Sequence, residues 1–267
     1  MHFDAHVHSV ASPDSELAPL NAIAALKAKG LGVAFTEHVD YVTPTQGKDM
    51  TATDAPMAST DFIYDFNIYP SQYKSFRDPK SVLLGVEICL NAAYYPLNNQ
   101  LAGNDFDFIV GAVHYVNGVD IYNSAIDMEP ENFCREYLTY SKEMVEYCGF
   151  FDTFAHIDYV TRYSEGINKV FHYKNFSMEF DALLKTIAER ELAFEINTAR
   201  FGNPNVMVQL LPIYKRFHEL GGKYVTIGSD AHTERALGRF YSNAIGLANM
   251  AELTPVYYCE RKRYECK

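Results

Sequence analysis

The chain has 267 residues, close to the size of one α/β barrel, and its 48% hydrophobic and 14% aromatic content supplies a large core and excludes disorder for most of its length. A formal charge of −11 leaves no basic face for general binding of nucleic acid or a membrane surface. Five cysteines without a C-x-x-C pair, no signal peptide and no apolar run of membrane-spanning length point to one soluble, cytoplasmic domain over residues 1–267; no feature encodes an oligomeric state.

The first eight residues read as an extended strand. Alternation puts His6 and His8 on one face and Phe3, Ala5 and Val7 on the other, so the two imidazoles can share a metal ion. A helix over 17–29, stopped by Gly30, and a buried strand over 31–36 complete a β-α-β unit that runs out into Glu37, His38 and Asp40. Residues 41–80 show little periodicity and read as a lid or wall of a substrate pocket, with Tyr64, Phe66, Tyr69 and Tyr73 in its aromatic half. The competing reading is that these aromatics fasten the insertion to the barrel. Further strands over 81–86, 107–113, 151–155, 192–196 and 224–227 alternate with helices over 129–147, 175–190 and 206–220.

Parallel barrel strands present their C-terminal ends to one mouth. His6, His8, His38, Glu87, His114, His156, Asp230 and His232 are therefore expected to converge, although they are scattered along the chain. Any one of them could be a satisfied core histidine or a capping carboxylate; eight at six strand ends carry the argument. By contrast, His2, His172 and His218 fall elsewhere and read as structural or solvated.

Imidazoles mixed with carboxylates suit two to three divalent ions of Zn, Fe or Mn better than Ca²⁺ or Mg²⁺. Three such ions would bring six positive charges, against three returned by Glu87, Asp230 and Asp14. A cationic site in an acidic protein is matched to a small-molecule phosphate ester, which metals can polarise while lowering the pKa of a bridging water. Arg162 and Arg200, each just past a strand end, are candidate phosphate clamps, with surface salt bridges as the alternative. Asp158 and Asp40 could orient an imidazole, hold an ammonium group or donate a proton, and Tyr115 stands beside His114.

The ordered set His6-x-His8, Glu37-His38, Gly85-Val86-Glu87, Gly111-Ala112-Val113-His114, His156-Ile157-Asp158 and Gly228-Ser229-Asp230-Ala231-His232 resembles the polymerase-and-histidinol-phosphatase (PHP) superfamily, and within it the monofunctional L-histidinol-phosphate phosphatases. The resemblance spans essentially the whole chain. It implies a distorted (β/α)7 TIM-like barrel with a trinuclear metal centre at the C-terminal ends of the strands, and hydrolysis of L-histidinol phosphate by a metal-bridging hydroxide. Carried over by motif, His6, His8, Glu87 and Asp230 would hold a first ion and Glu87, His114 and His156 a second. His38, His232 and a loop ligand would hold a third. Relatives often have histidine where this chain has Asp14, and Asp-His where it has Glu37-His38, which makes Glu37 a support rather than a ligand. Asp230, His232 and Glu87 are the expected catalytic groups, and Arg162, Arg200, Asp158 and Tyr115 the substrate-binding ones.

Three other functions compete. A PHP phosphoesterase for nucleotides or other small phosphate esters would share the site. An amidohydrolase would need a strand-end lysine to bridge two metals, and the chain has none. A non-catalytic metal-binding protein would saturate its coordination positions.

Overall fold

A computed structural model describes residues 1–41, 69–122 and 128–267. Phe3–Val7 (β1) and Gly32–Val39 (β2) run parallel and are joined by α1 (Pro19–Ala28). Proline in the first turn of α1 costs no hydrogen bond, and Gly30, at φ +73°, supplies the left-handed residue that ends it, letting the Leu31 amide bond back to the Leu26 carbonyl at 2.9 Å. The chain continues through α2 (Tyr69–Tyr73), β3 (Val82–Cys89), α3 (Tyr95–Ala102), β4 (Phe108–Ala112), a hairpin of β5 (Tyr115–Val116) and β6 (Val119–Asp120), α4 (Pro130–Tyr147) and β7 (Thr153–Phe154). It ends with α5 (Glu165–Val170), α6 (Ser177–Glu189), β8 (Ala193–Asn197), α7 (Pro204–Glu219), β9 (Tyr224–Gly228), α8 (Tyr241–Met250), β10 (Thr254–Cys259) and β11 (Lys262–Glu265).

Strands β1-β2-β3-β4-β7-β8-β9 pair in that order, all parallel. Beyond β9 the chain meets β1 again. Ala231 bridges Val7, the His8 amide donates to the Ala231 carbonyl at 2.9 Å, and the Asp230 amide donates to the His6 carbonyl at 2.8 Å. The sheet is thus curled into a distorted α/β barrel joined at the C-terminal ends of its strands. At the other end β10 pairs with the start of β9 and with β11, and fills the seam: the Tyr257 ring lies 4.6 Å from Phe3 and that of Tyr258 5.4 Å from Phe108.

Side chains of the sheet divide between two cores. Phe3, Ala5, Ala34, Leu83, Phe108 and Val110 pack with Val256 and Tyr258, whereas Val33, Phe35, Leu84 and Ile109 pack on the helical layer. Burial on both faces explains why these strands read as unbroken apolar runs.

Several expectations need correcting. Asp4 pairs with Val33 and Val7 with Phe35, so β1 carries one residue more than β2 across this interval. That bulge breaks strict alternation: Phe3 and Ala5 join the inner cluster, Val7 joins the outer one, and His6 is still turned inward. Glu87 lies inside β3, which runs to Cys89, rather than after it. The last strand pair and α8 were not foreseen. Tyr69 and Tyr73 are core residues, the Tyr69 hydroxyl donating to the Gly85 carbonyl at 3.1 Å and that of Tyr73 lying 2.7 Å from Ser9 Oγ, so they fasten the insertion to the barrel. Tyr64 and Phe66 lie outside the described residues. No described helix is long and apolar enough to cross a membrane.

Candidate metal centre and active-site cleft

Glu87 is the hub of the strand-end cluster. It is fully buried, sits opposite His38 in the β2–β3 register, and has five imidazoles around one carboxylate. Its Oε2 lies 3.2 Å from His6 Nε2, 3.5 Å from His8 Nε2 and 2.8 Å from His38 Nδ1; Oε1 lies 3.3 Å from His114 Nε2 and 2.7 Å from His156 Nε2. Asp230 Oδ1 stands 3.4 Å from His8 Nε2, and Asp14 Oδ2 stands 3.0 Å from His232 Nε2 and 3.4 Å from His38 Nε2. Asp230 holds a left-handed backbone at φ +54°, an unusual conformation fixed by its amide bond to His6. Ligand atoms of His6, His8 and Glu87, of Glu87, His114 and His156, and of His8, His38 and His232 each fall within 4.8 Å of one another.

Four of the imidazoles are held from behind through Nδ1, that of His232 by the Asp230 carbonyl at 3.1 Å. His6 Nδ1 meets Glu195 Oε1 at 2.6 Å, His114 Nδ1 meets Asp40 Oδ2 at 2.9 Å, and His8 Nδ1 meets Ser12 Oγ at 3.3 Å. With the proton on Nδ1, each ring directs its Nε2 lone pair into the cluster, the arrangement by which proteins orient metal-binding histidines. Glu37 takes no place among the ligands. It accepts from Ser12 Oγ and Ser9 Oγ, both at 2.6 Å, and from the Ser9 amide at 3.0 Å, anchoring the loop that carries the His8 support. Gly228 is required by close approach: a Cβ there would stand 2.3 Å from His6 Cβ and 2.4 Å from Glu195 Oε1.

His6 Nε2, His8 Nε2 and Glu87 Oε2 are buried and make no hydrogen bond among the described residues. A buried polar atom left unsatisfied costs roughly 1–3 kcal/mol, so three facing one space call for a common partner. Mixed nitrogen and oxygen donors fit Zn²⁺, Fe²⁺ or Mn²⁺. Electrostatics agree. Burial disfavours charge on Glu87, yet His6, His38 and His114 hold its carboxyl well below the usual range. Burial likewise opposes charge on His6 and His38, but Glu195 and Glu87 hold His6 well above its ordinary value, and Glu87 with Asp14 pushes His38 up to about 10. Glu87 thus draws positive charge toward itself from its surroundings, whereas burial and the neighbouring His38 and His232 hold His8 well below its ordinary value.

A cleft of about 490 Å³ opens beside this cluster, with Asp14, His38, His114, His156, Asp230 and His232 along the side that faces it. Tyr115 and Arg162 also line it. Arg162 Nη1 donates to Asp230 Oδ2 at 2.7 Å and Nη2 to Asn197 Oδ1 at 3.2 Å. Arg200 and Asp158, expected to meet substrate, do not line the cleft; they pair with each other at 2.9 Å, and the second Arg200 nitrogen is taken by Asn168 Oδ1 at 2.6 Å. Asp40 also lines the cleft and bonds His114 Nδ1 at 2.9 Å, a geometry that fits the orienting role among those open to it.

Sequence reasoning missed Glu195 and Arg239. Glu195 sits inside β8, where an acid in an otherwise apolar buried strand was the available signal. Its Oε2 accepts from the His156 amide at 2.8 Å and from Asn197 Nδ2 at 3.1 Å, so one carboxylate supports histidines of two ligand groups. Arg239 lines the cleft from the segment beyond β9.

The PHP domain model matches residues 4–199. The chain is 36% identical over 266 residues to a probable histidinol-phosphatase of Clostridium acetobutylicum, covering 98% of both chains. It is 28% identical to the histidinol-phosphatase of Lactococcus lactis subsp. lactis, covering 86% of this chain and 83% of that one. The crystal structure of histidinol phosphate phosphatase from L. lactis, complexed with zinc, L-histidinol and phosphate, superposes with a TM-score of 0.83 at 25% identity over 98% of both chains. Matched over most of its length by the domain model and over nearly all of it by these relatives, the chain belongs to the PHP domain family.

Proposed function

We propose that this chain is a metal-dependent phosphomonoesterase that hydrolyses L-histidinol phosphate to L-histidinol and phosphate, acting as one cytoplasmic unit over residues 1–267. The observation that carries the reading is the set of orphaned, buried ligand atoms around Glu87 beside a cleft holding Arg162. The zinc, L-histidinol and phosphate in the L. lactis enzyme support it.

His6, His8, Glu87 and Asp230 would hold one ion, Glu87, His114 and His156 a second, and His38, His232 and Asp14 a third. Bound divalent ions supply Lewis acidity toward the phosphate oxygens and bring a coordinated water toward deprotonation near neutral pH. Glu87 and Asp230 balance the charge of the site, while Glu195, Asp40 and Ser12 keep the imidazoles aimed. Arg162, fixed by Asp230 and Asn197, presents its guanidinium to the ester phosphate. Selectivity requires groups that meet the leaving alcohol, because a phosphate site treats monoesters alike. Tyr115, Tyr122, Tyr163 and Asp120 line the cleft and suit an imidazole and an ammonium group.

The test is kcat/KM for L-histidinol phosphate, p-nitrophenyl phosphate and a nucleoside monophosphate with metal-loaded protein. Histidinol phosphate is expected to lead. Equal or faster cleavage of the nucleotide would replace this reading with a nucleotide phosphoesterase.

A further inference from the structure

Three arginines stand near the strand ends, and they differ in how their charge is spent. Arg162 is bonded to Asp230 and Arg200 to Asp158. Arg239 lines the cleft with Arg162, yet no described carboxylate lies within ion-pair distance of it. Its Nε and Nη2 donate to the Ser229 carbonyl at 3.1 and 2.8 Å, and Nη2 also to the Asp230 carbonyl at 3.4 Å, neutral acceptors that fix the guanidinium, while the Asp230 and Asp4 carboxylates act on it only from beyond ion-pair distance. Among the described residues Nη1 makes no hydrogen bond.

The backbone around Arg239 is also unusual. Gly238 and Phe240 on either side both adopt left-handed conformations, at φ +60° and +53°, and the second is unfavourable for a bulky residue. Both neighbouring peptides are pinned: the Gly238 amide donates to Asp4 Oδ2 at 2.8 Å, and the Arg239 carbonyl accepts from Thr198 Oγ1 at 2.8 Å. A strained turn held from two sides, carrying a guanidinium without an ion-pair partner among the described residues into the cleft, is a preorganised anion contact.

We infer that Arg239 is a substrate-anchoring residue that binds a phosphate oxygen of the ester and of the product phosphate. The inference rests on the phosphatase reading and assigns a residue outside the ligand motifs. The ion-paired Arg162 orients the phosphate beside Asp230, and Arg239 supplies a second guanidinium, without an ion pair, that holds it.

The experiment measures binding of inorganic phosphate to metal-loaded wild type, R239Q and R239A by calorimetry, with metal content and melting temperature determined on the same samples. R239Q removes the charge and retains a donor for the Ser229 carbonyl. Its phosphate Kd should rise about tenfold or more at unchanged metal content, the loss of roughly one charge-assisted contact. Added guanidinium should restore part of the affinity in R239A. Unchanged phosphate affinity in R239Q would overturn the assignment. Loss of metal by R239Q would also overturn it, leaving Arg239 as a brace for the Ser229–Asp230 backbone. Because phosphate binding is read directly, failure of wild type to cleave histidinol phosphate would count against the proposed substrate and leave this test intact.

Discussion

The two ends of the barrel treat buried carboxylates in opposite ways. At the N-terminal end Asp107 is saturated: Arg77 grips it twice, at 2.9 and 2.6 Å, and the amides of Leu84 and Glu260 each donate at 3.0 Å. At the C-terminal end Glu87 faces five imidazoles, and its Oε2 makes no hydrogen bond. A carboxylate matched by arginine and amides stabilises a fold, whereas Glu87, ringed by imidazoles with its Oε2 and the Nε2 atoms of His6 and His8 unsatisfied, is built around a space for a cation. The contrast separates a clamp from a reactive centre, and it agrees with the general placement of barrel active sites at the strand C-termini.

Glu87→Ala should break the contrast most severely. Removing a carboxylate shared by two ligand groups is expected to lower kcat/KM on the order of a thousandfold or more and to release metal. Steady-state kinetics and elemental analysis of one preparation check both effects. A metal-replete, active variant would remove Glu87 from the centre.

Arg162→Ala should cost at least about tenfold in kcat/KM, a charge-assisted contact being worth roughly 1.5–3 kcal/mol. Arg200→Ala should cost less, because that side chain is turned onto Asp158 and Asn168. Equal losses in the two variants would mean that Arg200 leaves Asp158 when substrate binds.

The smallest catalytic effect is expected at the opposite end. Arg77→Ala should lower stability by about 1–3 kcal/mol, a fall in Tm of roughly 2–10 °C for a chain of this size, while kcat/KM stays within about twofold. Burial alone would raise the Asp107 pKa, but Arg77 and the two amides hold it below the usual value. Its contribution is therefore present above the ordinary carboxylate pKa of about 4 and is lost as pH falls through the lower folded value. The Tm difference between wild type and Arg77→Ala should shrink below about pH 4. A difference that grew toward acid would place the stabilising contact elsewhere.

The cluster around Glu87 was legible because most of its residues stand at or near the C-terminal ends of parallel strands, which share a mouth. Glu37, read from the sequence as a support, bonds Ser9 and Ser12 from its place in β2. What escaped depends on proximity across the barrel. Glu195 matters only because β8 brings it against β1, and Arg239 only because a twisted turn folds it back over the Ser229 carbonyl. The bulge at the start of the chain is likewise invisible to alternation, because it arises from the β1–β2 register. Arg200 and Asp158 looked like two substrate contacts and are partners of each other, a pairing that spacing along a chain cannot reveal.

The central claim is tested most directly by stripping the protein with a chelator and following phosphate release from L-histidinol phosphate as Zn²⁺, Fe²⁺ or Mn²⁺ is titrated back, with bound metal counted at each point. Activity absent from the stripped protein, rising with bound metal and saturating at two to three ions per chain, is the expected result. Full turnover in the stripped protein, or none at saturation, would contradict it.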